Sequence, residues 1–138
     1  MQHHYYDPID LFDGHVYAKG SLILNMLQDH LGDDAFKRSI QHYTKENIHK
    51  NVETPDLKKA IEVITGQNLD WFFRQWVYEA GFPEYEVKWA YNQRNRTVKL
   101  NIKQKQDLAK IKLFSMPVRI RIDDVLHTIW VDEEEMTF

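Results

Sequence analysis

The chain has 138 residues, 43% of them hydrophobic, which is enough for one ordinary domain or two small layers with a core of their own. Its formal net charge of -3 offers no broad attraction to phosphate backbones or anionic lipid, so nucleic acid and membrane are set aside as default partners. With no cysteine there is no disulfide and no thiolate metal site. No apolar run approaches the roughly 20 residues that span a bilayer, and polar and aromatic Met1 to Asp10 do not form a signal-peptide core; the compartment stays open.

In chain order, the first regular element is a helix over Val16 to Leu31. Val16, Gly20, Ile23 and Leu27 form one stripe, Tyr17, Leu24 and Leu31 an adjoining one, and Leu22 and Met26 a third side. A helix apolar nearly all round is expected to be buried. Gly32 suits the left-handed residue that ends a helix, and Asp33 is placed to cap the next one, which carries Phe36, Ile40 and Tyr43 on one face. Thr54-Pro55 predicts a third helix, with Thr54 as the cap and the proline at the first helical position, where its missing N–H costs nothing. Gly66 ends that helix after Thr65. Asn68 is expected to cap a fourth, on which Leu69, Phe72, Phe73 and Trp76 recur at helical spacing until Gly81, with Pro83 beyond.

At Gly81-Phe82-Pro83 the period changes from helical to alternating. Tyr85, Val87, Trp89 and Tyr91 alternate with charged or small residues, and after a turn at Gln93 to Asn95 so do Val98, Leu100 and Ile102, which predicts a hairpin. Val118, Ile120 and Ile122 repeat the pattern before a turn at Asp123-Asp124, and Val125 to Val131 forms a further strand. Gln104 to Lys112 is a polar connection, Glu133 to Glu135 a solvated turn, and Met136-Thr137-Phe138 the start of one more strand. The fold class is therefore α+β by segregation: helices over residues 1–82 and antiparallel strands over 83–138.

The chemistry visible in the residues alone is sparse. A zinc hydrolase of the H-E-x-x-H type needs two histidines four apart on one helix face. His3, His4, His15, His30, His42, His49 and His127 include no such pair. His3-His4 reads as a solvated terminal pair, and no metal is assigned. There is no G-x-S-x-G elbow, no glycine-rich phosphate loop and no Cys-His pair. Trp71, Phe72, Phe73 and Trp76 read as a packed helix face in preference to an aromatic ligand box. Lys99, Lys103, Lys105, Lys110 and Lys112 read as exposed strand and loop positions, not as a nucleic-acid patch.

One string stands out: Leu11-Phe12-Asp13-Gly14-His15-Val16-Tyr17-Ala18-Lys19-Gly20, followed by Leu24, Met26 and Leu27. It resembles the Tyr-x-Lys-Gly segment of the aminopeptidase N-like family of zinc aminopeptidases. Leu31-Gly32-Asp33, Phe36, Tyr43, Thr54 to Leu57, Thr65-Gly66, Trp71-Phe72-Phe73, Gln75-Trp76 and Gly81-x-Pro83 follow in the family's order over about Tyr5 to Val87. The resemblance implies that residues 1–82 are the helical C-terminal part of a metallopeptidase catalytic domain. It implies that 83–138 are a β-sandwich-like domain, expected to be truncated at Phe138.

In that family the tyrosine of the string donates a hydrogen bond to the oxygen that turns negative when water attacks the peptide carbonyl, and Tyr17 occupies its position. A phenol titrates near about pH 10 in model peptides, so it is a neutral donor at working pH. The competing reading of Tyr17 is a core aromatic at a helix start. Lys19 reads as helix surface and Gly20 as a site of close helix contact. Both zinc-binding histidines, the glutamate ligand, the general-base glutamate and the Gly-x-Met-Glu-Asn amine-binding segment precede the string in the family and are absent here.

The resemblance thus implies an aminopeptidase that uses zinc and peptide substrates in the full-length parent. The piece in hand is expected to bind no zinc, to lack catalysis alone, and to need the missing upstream catalytic subdomain. Without that cover it is expected to self-associate. The alternative function is a non-catalytic protein-interaction module of the same architecture.

Overall fold

The computed structural model describes residues 14–138, and side chains from Tyr17 onward; His3-His4, the start of the Tyr-x-Lys-Gly string and the side chains of His15 and Val16 lie outside that range. The elements are α1 (Gly14–Leu31), α2 (Asp33–Glu46), α3 (Thr54–Thr65), α4 (Asp70–Phe73), a π-helical turn (Arg74–Tyr78), and strands β1 (Tyr85–Asn92), β2 (Thr97–Gln104), β3 (Met116–Ile122), β4 (Val125–Val131) and β5 (Glu135–Thr137). This is an α+β arrangement. The chain divides into two compact units, one ending at Phe73 and the other running from Arg74 to Phe138.

In the helical unit, Gly32 both closes α1 and opens α2. Its N–H reaches the Gln28 carbonyl at 2.8 Å, and its own carbonyl accepts from Phe36 N–H at 3.0 Å. Its φ of 81° is a left-handed value that a side chain would resist. The residue before α2 is therefore Gly32 and not Asp33. Asp33 and Asp34 lie in the first turn, where carboxylates favour the positive end of the helix dipole, and Asp33 also accepts from Gln28 Nε2 at 2.8 Å.

Helix α3 likewise starts one residue earlier than Thr54-Pro55 suggests. Glu53 is the cap, and its N–H donates to Asp56 Oδ2 at 2.8 Å while its own side chain accepts from the Asp56 backbone, a reciprocal capping box. Gly66 ends the helix in the left-handed region with its N–H on the Glu62 carbonyl at 2.8 Å. The residue before α4 is Leu69, whose carbonyl accepts from Phe73 N–H at 3.1 Å, and not Asn68, which lies one residue further out and holds Asp70 N–H on its Oδ1 at 2.9 Å. Lys58 of α3 bonds Asp70.

The core of this unit is Leu27, Ala60, Ile61, Leu69, Phe72 and Phe73. An edge-to-face series runs His30, Trp71, Phe72, Phe73 with centroids 5.4, 5.5 and 5.8 Å apart. The aromatic run is thus packing, not a ligand box. Helix α1 is less covered than its composition suggests. Leu27 is fully buried, while Tyr17, Leu22 and Leu24 are exposed. Both α2, through the Gly32 corner, and Trp71, against His30, meet its C-terminal end.

In the strand unit, β1–β2–β5 form one antiparallel sheet and β3–β4 a two-stranded ribbon. Asp123 and Asp124 join β3 to β4 with φ of 45° and 63°, as a two-residue hairpin turn of right-handed twist demands. Leu100, Ile102 and Val131 form the buried centre, with Tyr85, Val118, Ile120, Ile129 and Met136 packed on it.

The fourth helix departs from expectation. Past Phe73 it widens into the π-helical turn, with Glu79 N–H on the Arg74 carbonyl at 2.9 Å, and it does not run on to Gly81. That turn faces Gln75 toward Ser115, with the amide donating to the Ser115 carbonyl at 3.0 Å and accepting its N–H at 2.6 Å. Trp76 packs on Phe114 at 5.1 Å.

The polar connection after β2 is held by side-chain amides. Gln104 is 1% exposed. Its Nε2 donates to the carbonyls of Phe114 (2.8 Å) and Glu133 (3.2 Å), and its Oε1 accepts from Phe114 N–H (2.9 Å) and Gln106 Nε2 (2.8 Å). Glu135 belongs to β5 and not to a solvated turn. Its carboxylate meets Asn101 at 3.0 Å and Lys103 at 3.4 Å.

Candidate active-site segment and its relatives

Tyr17 stands in the first turns of α1, in the half of that helix remote from the Gly32 corner, and is 67% exposed. Lys19, two residues on, is exposed as well. A Cβ built on Gly20 would meet nothing within 4 Å, so among the described residues no helix uses that glycine for close approach. The string therefore presents a phenol on an open helix surface.

Among the described residues the histidines do not converge. His30 is half-buried against Trp71, His49 sits in a left-handed turn with φ 59°, and His127 is exposed on β4. Among the described residues no group of three or more His, Cys, Asp or Glu is placed to hold a metal ion. No described helix is long and apolar enough to cross a membrane.

The lysines singled out in the sequence are mostly in ion pairs. Lys103 meets Glu134 and Glu135, Lys110 meets Asp107 at 3.0 Å, and Lys112 meets Glu79 at 2.5 Å. The carboxyl of Glu135 is held below its ordinary range by the Asn101 amide first and the Lys103 ammonium second. Lys103 is in turn pushed up by Glu135. Burial raises the phenol of Tyr85. None of these groups lies on α1.

The strand unit carries a shallow recess of about 100 Å³ lined by Gln75, Glu79, Ala80, Lys110, Lys112, Leu113 and Phe114. Ligand pockets usually measure about 300–1,000 Å³. Its polar walls are already committed to the amide bonds and the Glu79–Lys112 pair. It offers packing geometry and no convergent chemistry.

Comparison with known proteins supplies what local geometry does not. Residues 1–76, more than half of the 138, match the Peptidase family M1 domain. The chain is similar to Tricorn protease-interacting factor F2 of Thermoplasma volcanium, 36% identical over 77 residues, which are 56% of this chain and 10% of that protein. It is similar to glutamyl aminopeptidase of Bitis rhinoceros, 35% identical over 77 residues, 56% of this chain and 8% of that one.

Probable aminopeptidase 1 of Saccharolobus solfataricus aligns across 97% of the chain and 17% of its own length at 25% identity. Among solved structures, that of Legionella pneumophila aminopeptidase A in complex with aspartic acid superposes with a TM-score of 0.80. It covers 97% of this chain and 16% of that one at 23% identity, a likeness of fold. The chain thus spans only 8 to 17% of the length of these relatives. Because the family match covers more than half of the chain, the chain belongs to peptidase family M1.

Proposed function

We propose that this chain supplies the oxyanion-stabilising side of a zinc-dependent aminopeptidase that removes N-terminal residues from peptides, and that it is inactive in isolation. On this reading residues 1–82 are the helical end of the catalytic domain and 83–138 a β-sandwich-like domain. One observation carries it. Tyr17 of the Tyr-x-Lys-Gly string lies within the family-matched residues, in the first turns of α1.

In such an enzyme zinc supplies Lewis-acid polarisation of the carbonyl and an activated water. The family resemblance gives its ligands to the upstream catalytic subdomain, and this chain's part is confined to Tyr17. The phenol donates a hydrogen bond that strengthens as the carbonyl oxygen gains negative charge, which stabilises the transition state more than the bound peptide.

The test is Tyr17→Phe in a polypeptide that joins this segment to the upstream metal-binding part. Turnover is expected to fall by on the order of a hundred- to a thousand-fold, about 3 to 4 kcal/mol, with KM nearly constant. Turnover within about threefold of the parent at equal zinc content would remove Tyr17 from the mechanism.

A second reading is a protein-interaction module. One relative, the Thermoplasma volcanium protein, is named for interaction with the tricorn protease. The upstream sequence decides between the two: H-E-x-x-H followed by a further glutamate selects the peptidase, and their loss selects the module.

A further inference from the structure

Strand β1 has a covered edge and an open one. It pairs with β2 from Tyr85↔Gln104 to Asn92↔Thr97, and among the described residues no strand lies on its other side. The ladder fixes which backbone groups face that open edge. Leu100 exchanges both bonds with Phe138, and Gln104 N–H goes to the Glu134 carbonyl, so the even residues of β2 face β5. The odd ones face β1, as Lys105 N–H on the Glu84 carbonyl confirms. In an antiparallel ladder directly opposed residues bond together. Lys88, opposite Asn101, therefore bonds β2, and Tyr85, Val87, Trp89 and Tyr91 turn their N–H and C=O groups outward.

The same four residues put their side chains on the face that holds Leu100 and Ile102. Beyond Tyr85, that apolar face runs out uncovered: Val87 is 52% exposed, Trp89 72% and Tyr91 52%. On the opposite face Glu86 and Lys88 sit side by side, with charges 3.4 Å apart.

We propose that two copies of this chain join edge to edge through β1, antiparallel, about a twofold axis at Val87. Outward-facing residues must meet outward-facing residues, which an axis at any residue position satisfies; an axis at Lys88 would set Lys88 against Lys88, and one at Glu86 would set Glu86 against Glu86. At Val87 the strand is complementary to itself. Val87 opposes Val87 of the second copy, Tyr85 opposes Trp89, and Glu86 opposes Lys88 twice over. Opposite charges directly across a ladder stabilise the pairing, and like charges there destabilise it. An axis at Trp89 would set Lys88 against Ala90 and Glu86 against Asn92, forming no charge pair. The result is an isologous contact that extends a three-stranded sheet to six strands and brings the exposed Trp89 of each copy against a Tyr85 of the other. It lies outside the segment proposed for catalysis.

Sedimentation equilibrium on the intact chain tests both the surface and the register. The unaltered chain is expected to be a dimer at high micromolar concentration, and a monomer there would overturn the proposal. Val87→Pro removes an outward N–H without touching the β2 ladder and is expected to abolish the dimer. Glu86→Lys and Lys88→Glu each place like charges opposite one another twice, so each variant alone is expected to weaken association by on the order of tenfold. Mixed in equal amounts they restore opposite charges at all four positions, and the mixture is expected to regain the parent's association as a heterodimer. Melting temperatures confirm that each variant is folded. A dimer that persists in all three variants, or a mixture no tighter than its components, would overturn the proposal by placing the contact or its register elsewhere.

Discussion

Gln104→Leu probes whether the amide clamp, more than apolar contact, holds residues 105–115. The glutamine uses all four of its hydrogen-bonding capacities, two donors and two acceptors, and is buried to 1% exposure. Leucine fills a similar volume but leaves the N–H and C=O of Phe114 without a partner, at a residue only 4% exposed. Each stranded buried group costs about 1–3 kcal/mol, partly offset by the added apolar burial, so the net loss is about 2–4 kcal/mol. For a unit of this size that lowers Tm by roughly 10–30 °C. Calorimetry gives Tm. Indole emission reports on the clamped segment directly, because Trp130 Nε1 donates to Ser115 Oγ at 2.9 Å. A Tm within about 3 °C of the parent would show that water or local rearrangement satisfies Phe114, and that the clamp is dispensable.

Further outcomes follow from single features. Leu27→Ala, at a fully buried position, is expected to cost the helical unit about 2–5 kcal/mol, read by urea unfolding. Gly81→Ala faces both a φ of 100° and an Ile111 methyl 2.7 Å from the new Cβ, so a loss of at least about 1 kcal/mol is expected in the same assay. Replacing Asp123-Asp124 by Asn-Gly suits the two left-handed positions and is expected to raise stability by roughly 0.5–1 kcal/mol, seen as a higher Tm.

Glu135 has its folded pKa depressed, so its contribution is present above its unfolded pKa and lost as pH falls through the folded value. Lys103, raised, contributes below its unfolded pKa and loses that contribution as pH rises through the folded one. Glu135→Gln is therefore expected to flatten the acid limb of the Tm–pH curve, and added salt to shrink the difference.

Much of the architecture was legible because it rests on local rules. Gly66 ended α3 where a left-handed cap was needed, and the alternation of Val98, Leu100 and Ile102 gave both the strand and its buried face. The misses have equally local causes. Glu53 outranked Thr54 as a cap because its partner Asp56 sits three residues on, a box whose first member is usually serine or threonine. The apolar spacing of Phe72, Phe73 and Trp76 carries the expected fourth helix through to Gly81 because it does not record the one-residue widening at Arg74–Tyr78. Gln104 continues the inward parity of Val98, Leu100 and Ile102, a signal that was present but masked by its polarity. For Tyr17 the string in the sequence says more than the fold does, since the groups a catalytic phenol would face are not among the described residues.

The joint at Gly32 makes α1 a lever. One residue serves as the end of α1 and the beginning of α2, so no linker absorbs error between them. Tyr17 lies fifteen positions from it, roughly 22 Å along the helix axis at about 1.5 Å per residue. An angular change of roughly 3° at the joint would carry the phenol about 1 Å, a displacement able to cost about a hundredfold in a reaction that depends on placement. For the role proposed for Tyr17, the tolerance of the chemistry is thus set at a glycine far from it, and an insertion of a single residue at that corner would misaim the hydroxyl without touching it.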